Sequence, residues 1–460
     1  MSFFQLRSSS GAAWPPLASP QNALLWSAYQ TLDRTQWLSP EEMEAGQLAQ
    51  VRGLLQHCFE NVPYYRRALA PFSRTPVHSM SVFRRLPTLT REAYRDGLTD
   101  MTASKLPDGM SVVGHPSFTS GTSGVPIRVM SSGHDSVWHA AFCMRDFEWS
   151  RMDPRKVLAA VRLIAMSKED LPAAMSGVVA HGWTTFAPHV FQSARAYGLD
   201  IRQNPRTQLE WLRRLNPAYL ISYPSNLEVL ASLAADAKVR IPNLEAIQAI
   251  GEPVTGEMRG LVEGAFGVPV KNLYSVTEGG YVASPCPGGH GLHVHSENFI
   301  VEVLKENGEP CAPGETGRVV LTSLHNFVNP FVRYDIQDYA TLAPGPCPCG
   351  RGLPLWTKVD GRRHPMLYMP DGSRRISTGL MLGVRQVGGV RQFQIVQRPD
   401  GSVLVRVVPD PSWTPEHEAR IVTLVQEEVG RSDTVVEKLP ALEKTGGGKL
   451  RIIVVEEPNA

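Results

Sequence analysis

Across residues 110 to 360, short β-rich runs alternate with segments of helical period. VLAAVRLIA, AYLISY, AIQAI, VKNLY, FIVEVL and RVVLTSL are interleaved with RTQLEWLRRL, NLEVLASLAADA and GEMRGLVEGAF. Strands that keep returning through helices build a largely parallel sheet, so the alternation predicts an α/β fold. From residue 295 the spacing tightens, with Gly/Pro turns such as KENGEPCAPGETGR, and predicts hairpins rather than crossovers. Ahead of the alternation, residues 20 to 70 read as helix: Leu48, Val51, Leu54, Leu55 and Cys58 recur at helical spacing, and SPEEMEAG supplies an N-cap Ser, a Pro and acidic first-turn residues. After residue 365 comes a compact pattern of FQIVQ, a PDG turn, SVLVRVV, the helix EHEARIVTLVQEEV and a closing strand LRIIVVE, which predicts a small separate α+β domain.

At 460 residues the chain is long enough to bury several cores without disulfide staples. Its 46 Lys+Arg against 44 Asp+Glu, with no basic block, lack the electrostatic footprint of a nucleic-acid or anionic-membrane partner. No apolar stretch reaches the about 20 residues of a membrane helix, and MSFFQLRSSSGAAWPP lacks a secretory core, so a cytoplasmic protein is expected. Six cysteines are too few for a disulfide framework, and Cys58 and Cys143 read as buried free thiols.

Four stretches carry chemistry. Ser117 to Pro126, SFTSGTSGVP, is rich in hydroxyls and glycine, a composition that offers N–H and O–H donors to phosphate oxygens, or simply makes a polar turn. It lacks the Gly-Lys-Ser/Thr ending of a Walker loop. Ile250-Gly251-Glu252-Pro253 and Tyr274-Ser275-Val276-Thr277-Glu278-Gly279-Gly280 each follow an apolar strand, where open α/β sheets bind ligands, and Glu278 is a hard oxygen donor suited to Mg²⁺. In Arg333-Tyr334-Asp335-Ile336-Gln337-Asp338, strand alternation places Asp338 at a strand end, free to accept ribose hydroxyls. Gly446-Gly447-Gly448-Lys449 is a glycine loop that carries one lysine toward any phosphate it closes over.

In order and spacing these stretches, together with ENVPYYRRAL, LPTLTREAYR, YPSNLEVLA and GETGRVVLTSL, resemble the adenylate-forming enzymes, in particular the phenylacetate-CoA ligase branch and its capsule-biosynthesis-type relatives. The resemblance spans nearly the whole chain. It implies a large N-terminal domain (residues 1–362) with parallel-rich sheets and a β-rich subdomain, and a small mobile C-terminal domain (363–460). The activity it implies is activation of a carboxylic acid, aryl or otherwise hydrophobic, by ATP and Mg²⁺ with release of pyrophosphate.

By the same resemblance, Thr119, Ser120, Gly121, Thr122, Ser123 and Gly124 cradle the phosphates, and Thr277 and Glu278 position Mg²⁺. Gly251, Glu252, Pro253, Tyr274 and Ser275 line the adenine pocket, Asp338 holds the ribose, Arg362 contacts the nucleotide, and Lys449 reaches the α-phosphate. Trp138, His139, Tyr223, Pro224, Ser225 and Ile250 line the acid pocket; His139, Trp183 and His189 are equally compatible with structural roles. The acyl acceptor is coenzyme A by resemblance. An amine stays open, because Gly361-Arg362-Arg363-His364-Pro365 departs from the family's hinge pattern; Val125, where many relatives carry lysine, costs one phosphate contact. A non-catalytic scaffold is the third reading, against which Glu278, Asp338 and Lys449 stand together. Family members are often dimers, so a homodimer is expected.

Cys286, followed by His290 and His293, and the later pair Cys347 and Cys349 suit a structural Zn²⁺ site of four soft or borderline ligands. The resemblance favours His293 over His290. Cys311 reads as a bystander.

Overall fold

The computed structural model describes residues 4–9, 14–72, 77–118, 127–164, 171–184, 187–362, 367–370, 374–375, 380–381, 383–384, 387–431, 433–443 and 450–456. Two long helices open it, α1 (Pro20–Thr35) and α2 (Pro40–Asn61). The second is capped as its sequence dictates, with Ser39 and Glu42 in a reciprocal capping box and Pro40 in its first turn. A hairpin of β1 (Val112–Phe118) and β2 (Arg128–Ser132) follows, and Ser132 with Asp135 caps α3 (Gly133–Trp149).

The main sheet has twelve strands. Its parallel half comprises β3 (Leu158–Arg162), β5 (Ala196–Asp200), β6 (Tyr219–Ser222), β7 (Ala246–Ile250) and β8 (Val270–Val276), with β4 (Val178–Ala180) antiparallel at the edge. The antiparallel half comprises β9 (Gly280–Pro285), β10 (Leu292–Val294), β11 (Phe299–Leu304), β12 (Thr316–Ser323), β13 (Tyr334–Leu342) and β14 (Leu355–Arg362). The order is β11-β12-β13-β14-β10-β9-β8-β7-β6-β3-β5-β4. The change to hairpins therefore comes at Gly280, earlier than the expected 295, and the antiparallel strands continue the same sheet through the β8–β9 pairing.

One face of the parallel half packs on α1 and α3 through Leu32, Phe142, Phe147 and Tyr219. The other packs on α4 (Pro205–Leu215), α5 (Pro224–Asp236) and α6 (Gly256–Phe266) through Leu212, Leu227, Leu230 and Val262. A strand covered on both faces has no use for polar alternation, which is why these runs read as continuously apolar. The antiparallel half closes over α2 with Val51, Leu54, Phe299, Leu321 and Tyr334.

The C-terminal segment forms its own sheet in the order β19-β18-β17-β20, from β17 (Val390–Gln397), β18 (Val403–Pro409), β19 (Val435–Lys438) and β20 (Ile453–Val455), preceded by the two-residue pair β15 (Leu367–Tyr368) and β16 (Arg374–Arg375). Helix α7 (Pro415–Val429) connects the parallel pair β18 and β19 and fills the core with Ile421, Leu424 and Val425. The strand β19 carries no clear alternation and was missed in sequence. This unit touches the large one through Arg391 to Asp236 at 3.5 Å and through the Leu450 amide, which donates to Glu252 Oε1 at 3.3 Å. No helix among the described residues is long and apolar enough to cross a membrane.

Candidate active site and metal centre

The carboxyl ends of β7 and β8 open onto one side of the sheet, and the segments Ile250–Pro253 and Tyr274–Gly280 leave the strands there. Glu252 is held from two directions. The Ser225 amide, at the start of α5, donates to Glu252 Oε2 at 2.8 Å and the Ser225 hydroxyl to Oε1 at 3.1 Å, and the Leu450 amide of the small unit also donates to Oε1. Ser225, expected against the acid, thus orients Glu252, while Tyr223 is buried with its hydroxyl accepting from the Leu163 amide at 3.4 Å, and Pro224 starts the helix.

Tyr274 on β8 donates its hydroxyl proton to Asp338 Oδ2 at 2.5 Å, and Asp338 stands opposite Arg362 in the β13–β14 register. Three of the residues expected at the nucleotide, Tyr274, Asp338 and Arg362, are therefore neighbours across three strands. Asp338 is not at a strand end as expected but inside β13. Gln337, at φ +67°, breaks the alternation: its amide donates to Asp335 Oδ1 at 2.9 Å, and the local kink presents Asp338 half-buried.

Glu278 is buried between the Arg91 guanidinium, 3.8 Å away, and the Tyr334 hydroxyl, which donates at 3.4 Å. Thr277 and Ser275 beside it are exposed. Arg91 and Tyr334 were not assigned a role from sequence, although Tyr334 lies in the same RYDIQD run as Asp338 and Arg91 in the LPTLTREAYR stretch. Gly280, at φ +81°, follows directly, and a Cβ there would lie 2.6 Å from His139 Nδ1. This glycine lets α3 approach the β8–β9 turn. His139 packs on the Tyr281 ring at 5.1 Å, and burial by the surrounding protein holds its imidazole below the usual value. Burial likewise pushes the neighbouring Tyr281 phenol well up and the Cys143 thiol to about 12.

Trp138 is engaged elsewhere, stacked on His325 at 4.7 Å with its indole N–H donating to His134 at 3.1 Å. Ile250 closes β7, half-buried. Trp183 is core, donating to the Lys156 carbonyl at 2.8 Å, and His189 is exposed. The phosphate-loop residues Thr119 to Gly124, the hinge residues 363–366 and Lys449 lie outside the described residues, as does the Arg362 side chain; the loop is flanked by the β1–β2 hairpin and Lys449 immediately precedes Leu450.

Across the antiparallel half, Cys286, His293, Cys347 and Cys349 converge, their ligand atoms all within 4.8 Å of one another. Cys286 Sγ lies 3.6 Å from Cys347 Sγ, and His293 Nε2 lies 3.1 Å from Cys349 Sγ. The other His293 nitrogen, Nδ1, is 3.1 Å from the Leu353 carbonyl, which fixes the ring with Nε2 inward. His290 is exposed on the intervening loop, so His293 is the histidine in the cluster. Gly291, at φ +134°, permits that loop, since a Cβ would meet the Trp356 carbonyl oxygen at 2.2 Å. Cys58, Cys143 and Cys311 are buried and unpaired by disulfides.

Residues 107–327 match the family model of the AMP-binding enzymes. The phenylacetate-coenzyme A ligase of Escherichia coli (strain K12) is 27% identical over 359 residues, 74% of this chain and 75% of that protein. The phenylacetate-coenzyme A ligase of Thermus thermophilus is 26% identical over 387 residues, 80% of each chain. Among solved structures, 2-hydroxyisobutyryl-CoA ligase in its postadenylation state, in complex with 2-HIB-AMP, superimposes with a TM-score of 0.71 at 20% identity over 92% of both chains.

Proposed function

This chain belongs to the adenylate-forming enzymes, on their phenylacetate-CoA ligase-like branch, and from that premise we propose that it activates an aryl or otherwise hydrophobic carboxylic acid as its acyl-adenylate and passes the acyl group to coenzyme A. The observation that supports the reading is that Glu252 and Glu278 follow the carboxyl ends of β7 and β8, each held by a neighbour, while Tyr274 of β8 is bonded to Asp338 of β13. A scaffold has no chemical need for it.

A carboxylate oxygen attacks the α-phosphorus of ATP, the bond to the bridging oxygen breaks, and pyrophosphate leaves with that electron pair. Like charge opposes the approach, and cations relieve it. Asp338 accepts the ribose hydroxyls, Tyr274 orients Asp338, and Glu252 with Gly251 and Pro253 frames the adenine. The hydroxyls and amides of 119–124 hold the phosphates. Glu278 and Thr277, hard oxygen donors beside one another, suit Mg²⁺, which when bound neutralises phosphate charge. Lys449 enters with the small unit, since Leu450 is hydrogen-bonded to Glu252. In the second half-reaction a thiolate attacks the acyl carbon and AMP departs. Withdrawal of the small unit, whose described polar links to the large one include the Arg391 and Leu450 contacts, makes room for that nucleophile.

The Cys/His cluster fits a structural Zn²⁺. Zn–S bonds of about 2.3 Å in a tetrahedron set sulfurs about 3.8 Å apart, close to the 3.6 Å between Cys286 and Cys347. All four ligands come from the protein, which leaves no open position for chemistry.

Pyrophosphate release from ATP and Mg²⁺ over a panel of aryl and aliphatic acids, run with and without coenzyme A and with hydroxylamine, tests the reading. Acid-dependent release with thioester formed only when coenzyme A is present supports it. Hydroxamate formation without any thioester moves the acceptor to an amine, and absence of nucleotide binding overturns adenylation.

A further inference from the structure

The turn after β7 carries a contact between the two units. Glu252 follows Ile250, the last residue of β7, by two positions, and three donors among the described residues reach its carboxylate. The Ser225 amide donates to Oε2 at 2.8 Å, and the Ser225 hydroxyl and the Leu450 amide donate to Oε1 at 3.1 and 3.3 Å. The Ser225 amide belongs to the first turn of α5, where backbone N–H groups have no acceptor within the helix, so the helix start fixes the carboxylate on the large unit. The Leu450 amide belongs to the small unit. Its nitrogen is bonded to the carbonyl carbon of Lys449, so the group docked on Glu252 is the peptide that joins Lys449 to Leu450.

An ionised carboxylate is acceptor-only and takes all three donors at once. A glutamine would put its NH₂ group at one of the two oxygen positions. At the Oε2 position that group meets the Ser225 N–H; at the Oε1 position it meets the Leu450 N–H, where only the Ser225 hydroxyl can turn to accept from it. Either way one backbone donor faces another donor, and one of the two units loses its hold. The far end of α5 also reaches the small unit, since Asp236, its last residue, lies 3.5 Å from Arg391 near the start of β17. Ser225 and Asp236 stand about 17 Å apart along the helix axis at 1.5 Å per residue, so α5 supports the small unit at two separated points. Asp236 is exposed, and a surface pair of that length contributes little; the half-buried Glu252 is the firmer support.

We propose that Glu252 is a positioning residue for Lys449. Its carboxylate docks the Lys449–Leu450 peptide and holds the small unit in the arrangement that serves adenylation, and breaking that one hydrogen bond is part of the passage to thioester formation. This rests on the adenylation reading and assigns the residue that sets the register of its cation.

Two measurements on the full-length protein test it, with Glu252→Ala and Glu252→Gln. Hydrogen exchange at the Leu450 amide, read with ATP and Mg²⁺ present, needs no acid. Glu252→Ala should speed it at least about 10-fold relative to the amides of β17 and β18 in the same unit. The half-reactions are then timed separately at saturating ATP. The first is pyrophosphate release with phenylacetate, or with a better acid from the panel above, and the second is AMP release from the preformed adenylate of that acid with coenzyme A. The ratio of first to second rate should fall about 10- to 100-fold in Glu252→Ala, the range of one charge-assisted hydrogen bond, and by less in Glu252→Gln, which keeps one backbone donor. A role confined to the adenine would raise the KM for ATP and leave both the ratio and the Leu450 exchange unmoved; that result overturns the proposal, as does equal slowing of both half-reactions. Failure of every acid to elicit pyrophosphate overturns the adenylation reading itself, whereas unchanged Leu450 exchange in Glu252→Ala overturns the docking whatever the acid. Thermal melts of both variants separate lost docking from misfolding.

Discussion

The cysteine corner and the cleft lie on the same twelve-stranded sheet and are built in opposite ways. In the corner, three thiols and an imidazole face one another within 4.8 Å, and the one free imidazole nitrogen is tied to a backbone carbonyl. Nothing there is left over for a substrate. In the cleft the carboxylates are each held by a neighbour, Glu278 by Arg91, Asp338 by Tyr274 and Glu252 by Ser225, so that each is fixed in orientation. The contrast is that of a closed shell, which stabilises, with an oriented open one, which binds.

The sharpest break between the two is Lys449→Ala. Loss of this cation should reduce adenylate formation by about 10²- to 10³-fold with the melting temperature unmoved; near-wild-type adenylation by this variant would remove Lys449 from the mechanism. The reverse pattern is expected for Cys347→Ser or for chelation. Stability should fall by on the order of 3 kcal/mol, a Tm drop of about 3–4 °C, while kcat/KM below the new Tm holds. Freshly purified protein free of zinc by elemental analysis would end that assignment.

Asp146 lies beneath the cleft wall, fully buried on α3. Burial, opposed by hydrogen bonds from Ser284 and Gln248, pushes its carboxyl up to about 6 from an ordinary 3.8. A folded value above the unfolded one gives stability that is complete below pH 3.8 and is lost as pH rises through 6. Asp146→Asn should remove up to about 3 kcal/mol of that pH dependence and be the more stable protein at pH 8, read from urea melts at several pH values; parallel profiles for the two proteins would refute the shift. The smallest effect is expected from Asp338→Ala, which should raise the KM for ATP about 10- to 50-fold through lost ribose hydrogen bonds and leave kcat nearly constant. An equal fall in kcat would mean that Asp338 acts in the transition state.

Much of this was legible along the chain, and the exceptions share a cause. Elements with clear local signals, such as α2 behind Ser39-Pro40 and α7 over EHEARIVTLVQEEV, lie where the sequence places them. The antiparallel boundary at Gly280 was placed late because a single strand reads alike in either pairing sense. Asp338 was put at a strand end because Gln337 takes a positive φ that its identity does not signal. Ser225 was assigned to the acid, and its partnership with Glu252 needed α5 set against the end of β7.

Residue order by itself determined the α/β class, the C-terminal segment's helix and all of its longer strands but β19, and the three cysteines of the cluster, because periodicity and short chelating spacings are local properties, whereas the choice of His293 over His290 needed the fold. Only the tertiary structure decided which charges meet. Arg91 reaches Glu278 and Tyr274 reaches Asp338 because the fold places far-separated segments side by side, and such a contact depends on that adjacency and not on distance along the chain.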